Sequence, residues 1–247
     1  MIQLRHLTKK FGDLVAVSDL SLDVGRGQFF AVLGPNAAGK TTLLRVLAGL
    51  LKPTSGTAQV AGFDIQTAPL EARRRMAYMP DFPFFYEKLT PWEFFRFTGQ
   101  IFQMSEARLE ESARELIPRF NLDEFARKPM DGLSHGTRQR VAMVASLLHD
   151  PEVFIIDEPM VGLDPQHARI VKDVLKERTR RGCTVFLSTH QISVAEEMAD
   201  QVGIMHQGRL VAVGTAGELR RQASAGSNGT LEQVFLTLTS TQVAPIS

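Results

Sequence analysis

One short stretch constrains this chain more than any other. Gly34-Pro35-Asn36-Ala37-Ala38-Gly39-Lys40-Thr41 fits the pattern G-x-x-x-x-G-K-[ST]. An apolar run, Gln28–Leu33, precedes it, and a helical run, Leu43–Ala48, follows it and stops at Gly49. A loop of this kind joins a buried strand to the N-terminus of a helix. Glycine lets successive backbone N–H groups converge on an anion, and the helix end adds its positive partial charge. Lys40 then reaches the outer phosphates of a nucleotide, and the Thr41 hydroxyl ligates Mg²⁺. The stretch from Gly34 to Thr42 is therefore expected to cradle ATP.

Two further apolar runs read as strands buried on both faces, Val153–Asp157 and Thr184–Ser188. Helical patterns separate the strands, among them Gln166–Arg181, which ends at Gly182, and a run opened by Thr90-Pro91. The alternation predicts an α/β fold, a P-loop NTPase core. Ligands of such sheets lie beyond the carboxyl ends of the strands, so Asp157, Glu158 and His190 are expected beside the cradle. Asp157 suits a Mg²⁺ site, Glu158 the polarisation of an attacking water, and His190 a contact to the terminal phosphate. The strand-like pieces of Ile2–Val24 and Thr57–Val60 predict an antiparallel β flank, and residues 82–150 read as an inserted helical subdomain. The domain expected is 1–225, with 1–81 and 151–225 as core and flank; 226–247 is a tail holding a loop from Gly226 and a short apolar helix, Leu231–Leu238.

With 28 basic and 27 acidic residues, no field is present that would gather nucleic acid, so no nucleic acid partner is expected. The arginine runs Arg73-Arg74-Arg75 and Arg178/Arg180-Arg181 are short, and they read as solvated helix faces. Cys183 is the only cysteine, which fits a reducing compartment and a small apolar residue opening a strand. No apolar run approaches the ~18 residues of a membrane helix, and the first residues do not begin a signal peptide. A cytoplasmic location follows as the expectation. His6, His149, His167 and His206 lack any comparable setting and receive no role.

In this order the pieces resemble the ABC (ATP-binding cassette) ATPases, over essentially the whole chain. Leu133-Ser134-His135-Gly136-Thr137-Arg138-Gln139-Arg140 looks like that family's signature, followed by the apolar Val141–Leu148; Gly162-Leu163-Asp164-Pro165 resembles its D-loop. The resemblance implies that Phe11 stacks on adenine and that Ser134 and Gly136 complete the ATP pocket of an opposite subunit. Two chains, as a homodimer or with a related ABC subunit, then close head to tail on two ATP molecules. Small-molecule kinases that share the cradle lack this signature. The sequence departs from the family pattern at Ala37, where glycine is usual; positive φ there would cost alanine about 1 kcal/mol. His135 and Thr137 replace a glycine and a glutamine. Asp81 stands in place of a glutamine that links Mg²⁺ and water to the transport subunit, and is assigned to the metal site.

Nine of the chain's 19 aromatics fall between Phe82 and Phe102. The bland reading is core packing. The resemblance implies that some of them, Phe84 and Phe85 foremost, line the groove that receives a transmembrane permease on a separate chain. The tail Leu231-Glu232-Gln233-Val234-Phe235-Leu236 resembles the ending of export-type subunits, so export is expected over import. Soluble cassettes that remodel nucleoprotein are the remaining class, and they usually carry two cassettes or a long inserted coiled coil.

Overall fold

The computed structural model describes residues 1–223 and 230–240. The chain opens on two long strands, β1 (Ile2–Phe11) and β2 (Leu14–Val24), paired antiparallel across the Gly12-Asp13 turn. β3 (Phe29–Leu33) runs into the cradle, and α1 (Lys40–Leu47) leaves it. β4 (Ser55–Val60) and β5 (Phe63–Asp64) extend the flank to a four-stranded sheet in the order β2-β1-β4-β5. α2 (Pro69–Arg74) and β6 (Met76–Met79) return the chain to the main sheet.

Three helices follow: α3 (Pro91–Ile101), α4 (Glu106–Arg119) and, after a 3-10 turn at Met130–Gly132, α5 (His135–Leu147). Then come β7 (Val153–Asp157), α6 (Pro165–Arg180), β8 (Thr184–Thr189), α7 (Ile192–Met198), β9 (Gln201–His206) and β10 (Arg209–Gly214). α8 (Ala216–Ala223) and α9 (Leu231–Ser240) close the described chain. The loop expected from Gly226 lies outside the described residues, and the expected apolar helix is α9.

The second sheet has six strands in the order β10-β9-β3-β8-β7-β6, parallel throughout except for β10. Strand side chains alternate between faces, and here the alternation divides two cores. Phe29, Ala31 and Leu33 of β3, with Phe154 and Ile156 of β7, face the core shared with α5 and α6. Phe30 and Val32, with Val153 and Ile155, face α1 and the antiparallel flank. Because β8 pairs with both β3 and β7, in the registers Leu33↔Thr189 and Asp157↔Ser188, the three carboxyl ends lie along one edge.

Local chemistry explains the helix ends. Thr90 caps α3 by accepting from the Glu93 N–H, and Glu93 returns the bond to the Thr90 N–H, a complete capping box. Gly49 and Gly182 follow α1 and α6 at φ 68 and 98, the left-handed conformation that ends a helix. The arginine expectation needs correction. Arg178 is not solvated: it is buried on the stripe Val171, Val174, Leu175 and bonds Asp150 at 2.7 Å. Arg75 is half-buried, lying 4.3 Å over the Phe63 ring and 2.8 Å from Glu71. Arg73 and Arg74 are exposed, as expected.

Candidate functional site: a phosphate cradle beside a carboxylate edge

Backbone geometry comes first in the cradle. Gly34 and Gly39 leave no room for a side chain: a Cβ on Gly34 would lie 2.5 Å from the Met205 carbonyl, and one on Gly39 2.2 Å from the Ala16 carbonyl. Gly39 also adopts φ 103. Ala37 does adopt positive φ, at 64, so the strain foreseen for alanine is present. The Gly208 N–H donates to Ala38 O at 2.9 Å and the Ser18 N–H to Gly208 O at 2.8 Å. The β9–β10 turn thereby fastens the cradle to β2.

Lys40 is buried, and its Nζ donates to the Gly34 and Pro35 carbonyls at 2.7 and 3.1 Å. Burial lowers its pKa, with the Glu158 and Asp157 carboxylates opposing. The Thr41 hydroxyl donates to Asp157 Oδ2 at 2.8 Å. Among the described residues, no group of three or more His, Cys, Asp or Glu side chains could enclose a metal. This donor set still fits Mg²⁺, which favours oxygen ligands and is usually held by one or two carboxylates with phosphates and waters.

Glu158 begins the turn after β7 at φ 48. Its carboxylate accepts from the Thr189 hydroxyl at 3.1 Å, and His190 Nδ1 lies 2.7 Å from Oε1. Asp81 follows β6 on the same edge. Burial raises its pKa, the charges of Asp157 and Glu158 add to this, and His135 and His190 oppose it.

These groups surround one cleft of about 550 Å³. Asn36 to Thr42, Asp81, Asp157 and Glu158 line its polar end; Phe11, Leu14, Val15 and Ala16 line the other, joined by Gln207 and Gly208. Phe11 is 46% exposed, with Lys9 Nζ 4.9 Å from its ring centroid. Gly34 and Pro35 lie behind the cleft as partners of Lys40. His190 reaches the site only through Glu158. Ser134 and Gly136 are not among the residues lining this cleft; Ser134 caps α5 by accepting from the Thr137 N–H at 3.2 Å. Sequence reasoning missed Leu14, Val15, Ala16, Gln207, Gly208 and Thr189. Only Thr189 carried a signal, as the hydroxyl before His190 at a strand end.

The aromatic region divides in two. Phe84 is 81% exposed, whereas Phe85 is buried against Phe94 with ring centroids 5.3 Å apart. Both border a cavity of about 230 Å³ whose lining includes Met79, Phe102 and His149. His149 is half-buried, stacked on Phe102 at 3.6 Å, and loss of water around it pushes its pKa down to about 4.

Residues 17–161 match the ABC transporter family, a stretch that holds the cradle, α5 and Asp157-Glu158. YbhF of Escherichia coli (strain K12), a probable multidrug ABC transporter ATP-binding protein, is 35% identical over 240 residues; these are 96% of this chain but 41% of YbhF. The daunorubicin/doxorubicin resistance ATP-binding protein DrrA of Streptomyces peucetius is 37% identical over 92% of this chain and 68% of its own. A solved ATP-binding subunit of an ABC transporter superposes with a TM-score of 0.91 at 31% identity, covering 96% of this chain and 99% of that one. The cassette MJ0796, solved as a post-hydrolysis dimer with ADP and Pi, superposes at 0.76 with 25% identity, covering 87% and 98%. Cradle, carboxylate edge and capped helix thus lie in a fold and a sequence that agree with one another, and the chain belongs to the ABC transporter family.

Proposed function

We propose that the chain binds and hydrolyses ATP to power a membrane transporter, working as an exporter subunit through ATP-driven head-to-tail dimerisation. One observation carries the reading: the Thr41–Asp157 pair and Glu158, bonded from behind by His190, stand together in the cleft lined by the cradle. The base stacks on Phe11, and the phosphates take the N–H groups of residues 36–42. Lys40 exchanges its carbonyl partners for the outer phosphates. Thr41 and Asp157 would hold Mg²⁺, with Asp81 beside them on the same edge; the ion would supply neutralisation of phosphate charge. Glu158 takes the proton of the attacking water, whose oxygen bonds to the γ-phosphorus while the bond to the β,γ-bridging oxygen breaks. ADP and phosphate result. Thr189 and His190 orient Glu158 throughout, and His190 also meets the γ-phosphate.

Ser134 and Gly136 open α5 away from the chain's own cleft, which suits completion of a second copy's pocket. The domain runs from 1 to 225, with 82–150 as its helical subdomain. Among the described residues no helix is long and apolar enough to cross a membrane. The reading gives the membrane-spanning part to a permease, which holds this chain at the cytoplasmic face. Export is favoured by the relatives, whose names include drug resistance and Nod factor export.

Phosphate release by the purified protein with ATP and Mg²⁺ tests the reading. Lys40→Ala is expected to lose nucleotide binding, measured with a fluorescent ATP analogue. Glu158→Gln is expected to keep binding and to accumulate dimer on size-exclusion chromatography with light scattering. Normal hydrolysis by Glu158→Gln would remove Glu158 from its role.

A further inference from the structure

His135 is a residue the family pattern does not supply, and its surroundings are specific. Its side chain lies against the backbone of Gly162, where a Cβ would stand 2.4 Å from Cδ2 and 2.9 Å from Nε2. Gly162 itself is at φ 78, so only glycine both adopts that backbone and leaves space for the imidazole. The next residue of α5 repeats the contact: a Cβ on Gly136 would lie 3.1 Å from Gly162 O. On its other side the His135 ring is 6.3 Å from that of Phe82, the residue after Asp81.

The segment that His135 touches leads back to the proposed water-activating carboxylate through one turn with two backbone hydrogen bonds. The Leu163 N–H donates to Met160 O at 3.3 Å, and the Val161 N–H to Glu158 O at 3.2 Å. Both are long for their type. The turn's own bonds are therefore a weak brace for Glu158, whose backbone is held at φ 48. From the strand side Glu158 is held by its own N–H, which donates to Ser188 O at 2.9 Å, and by Thr189 and His190 on its carboxylate; from the turn side it has only these two longer bonds.

We propose that His135 is a positioning residue: its imidazole packs the Gly162 turn against the first turn of α5, and thereby braces Glu158 from the turn side, opposite Thr189 and His190. The inference rests on the hydrolytic reading given above. It makes the end of α5 that faces a second copy and the carboxylate of the chain's own cleft one mechanical unit. The wedge acts through the shape of the ring, which fills the space beside Gly162 that a side chain there would take.

Hydrogen exchange and steady-state kinetics on the full chain separate this role from a purely structural one. His135→Gly is expected to speed amide exchange at Val161 and Leu163 at least fivefold relative to the unaltered protein. It is also expected to lower kcat severalfold with KM for ATP unchanged, since the cradle is untouched. His135→Phe, which restores a ring without a titratable nitrogen, is expected to recover most of both; it also keeps the test open should the glycine variant fold poorly. Unchanged exchange at Val161 and Leu163 would overturn the proposal whatever the activity, as would a loss confined to KM. A protein that hydrolyses no ATP in its unaltered form would sink the hydrolytic reading, while the exchange comparison would still judge the wedge.

Discussion

Glu158 and Ala37 both hold positive φ without being glycine, at 48 and 64, and the two strains have different consequences. At Glu158 the conformation aims a carboxylate into the cleft, so the side chain cannot be exchanged for a better backbone fit. Glu158→Gln keeps shape and loses proton acceptance. Its turnover is expected to fall by about 10²–10⁴-fold, measured as single-turnover phosphate release. Ala37 offers only a methyl group, so Ala37→Gly is expected to stabilise the protein by about 0.5–1 kcal/mol. That gain would raise Tm by about 1–4 °C on calorimetry. His149 sets a pH limit. Its folded pKa of about 4 lies below the ordinary 6.5, so between these values the unfolded chain binds the proton that the folded chain refuses. The stability it contributes is complete above pH 6.5 and falls as pH drops towards 4, by about 3 kcal/mol at most. Urea unfolding at pH 5 and 7.5 should show this slope, and His149→Phe should flatten it.

Elements whose cause is local were legible in the sequence, and those whose cause is distant were not. The cradle is contiguous and its glycines are dictated by close approach, so Gly34 to Thr42 could be read directly. β7 and β8 were legible because strands buried on both faces are apolar runs, and their ends carried Asp157 and His190. The Gly208–Ala38 bond joins residues far apart in the chain, and no spacing announces it; Ala16 and Gln207 were missed for the same reason. Arg178 is the instructive error. Its place after Val171, Val174 and Leu175 continues the buried stripe of α6, so helical spacing outweighs the neighbouring arginines. Phe84 and Phe85 lie in an irregular segment with no period to tell the buried ring from the exposed one. At this scale Thr90→Ala, which breaks the capping box of α3, is expected to cost about 1 kcal/mol in chemical denaturation.

In the molecule as a whole the cleft and the aromatic cavity are bordered by different residues of the segment 79–85, Asp81 for one and Met79 and Phe84 for the other. This separation makes partner binding and nucleotide binding independently removable. Phe84→Ser is expected to abolish co-purification with a membrane partner and leave ATP affinity within about twofold. Phe85→Ser instead opens the core, and should lose about 3–5 kcal/mol in denaturant unfolding.

β3 carries the cradle, and its two hydrogen-bonded neighbours, β8 and β9, both come from beyond residue 183. While the ribosome is still making the protein, the nucleotide loop therefore hangs from a strand with no neighbours on either side. Such long-range pairing forms late. Until residues 184–206 have emerged, the strand that carries the cradle lacks both of the strands that hold it in the sheet.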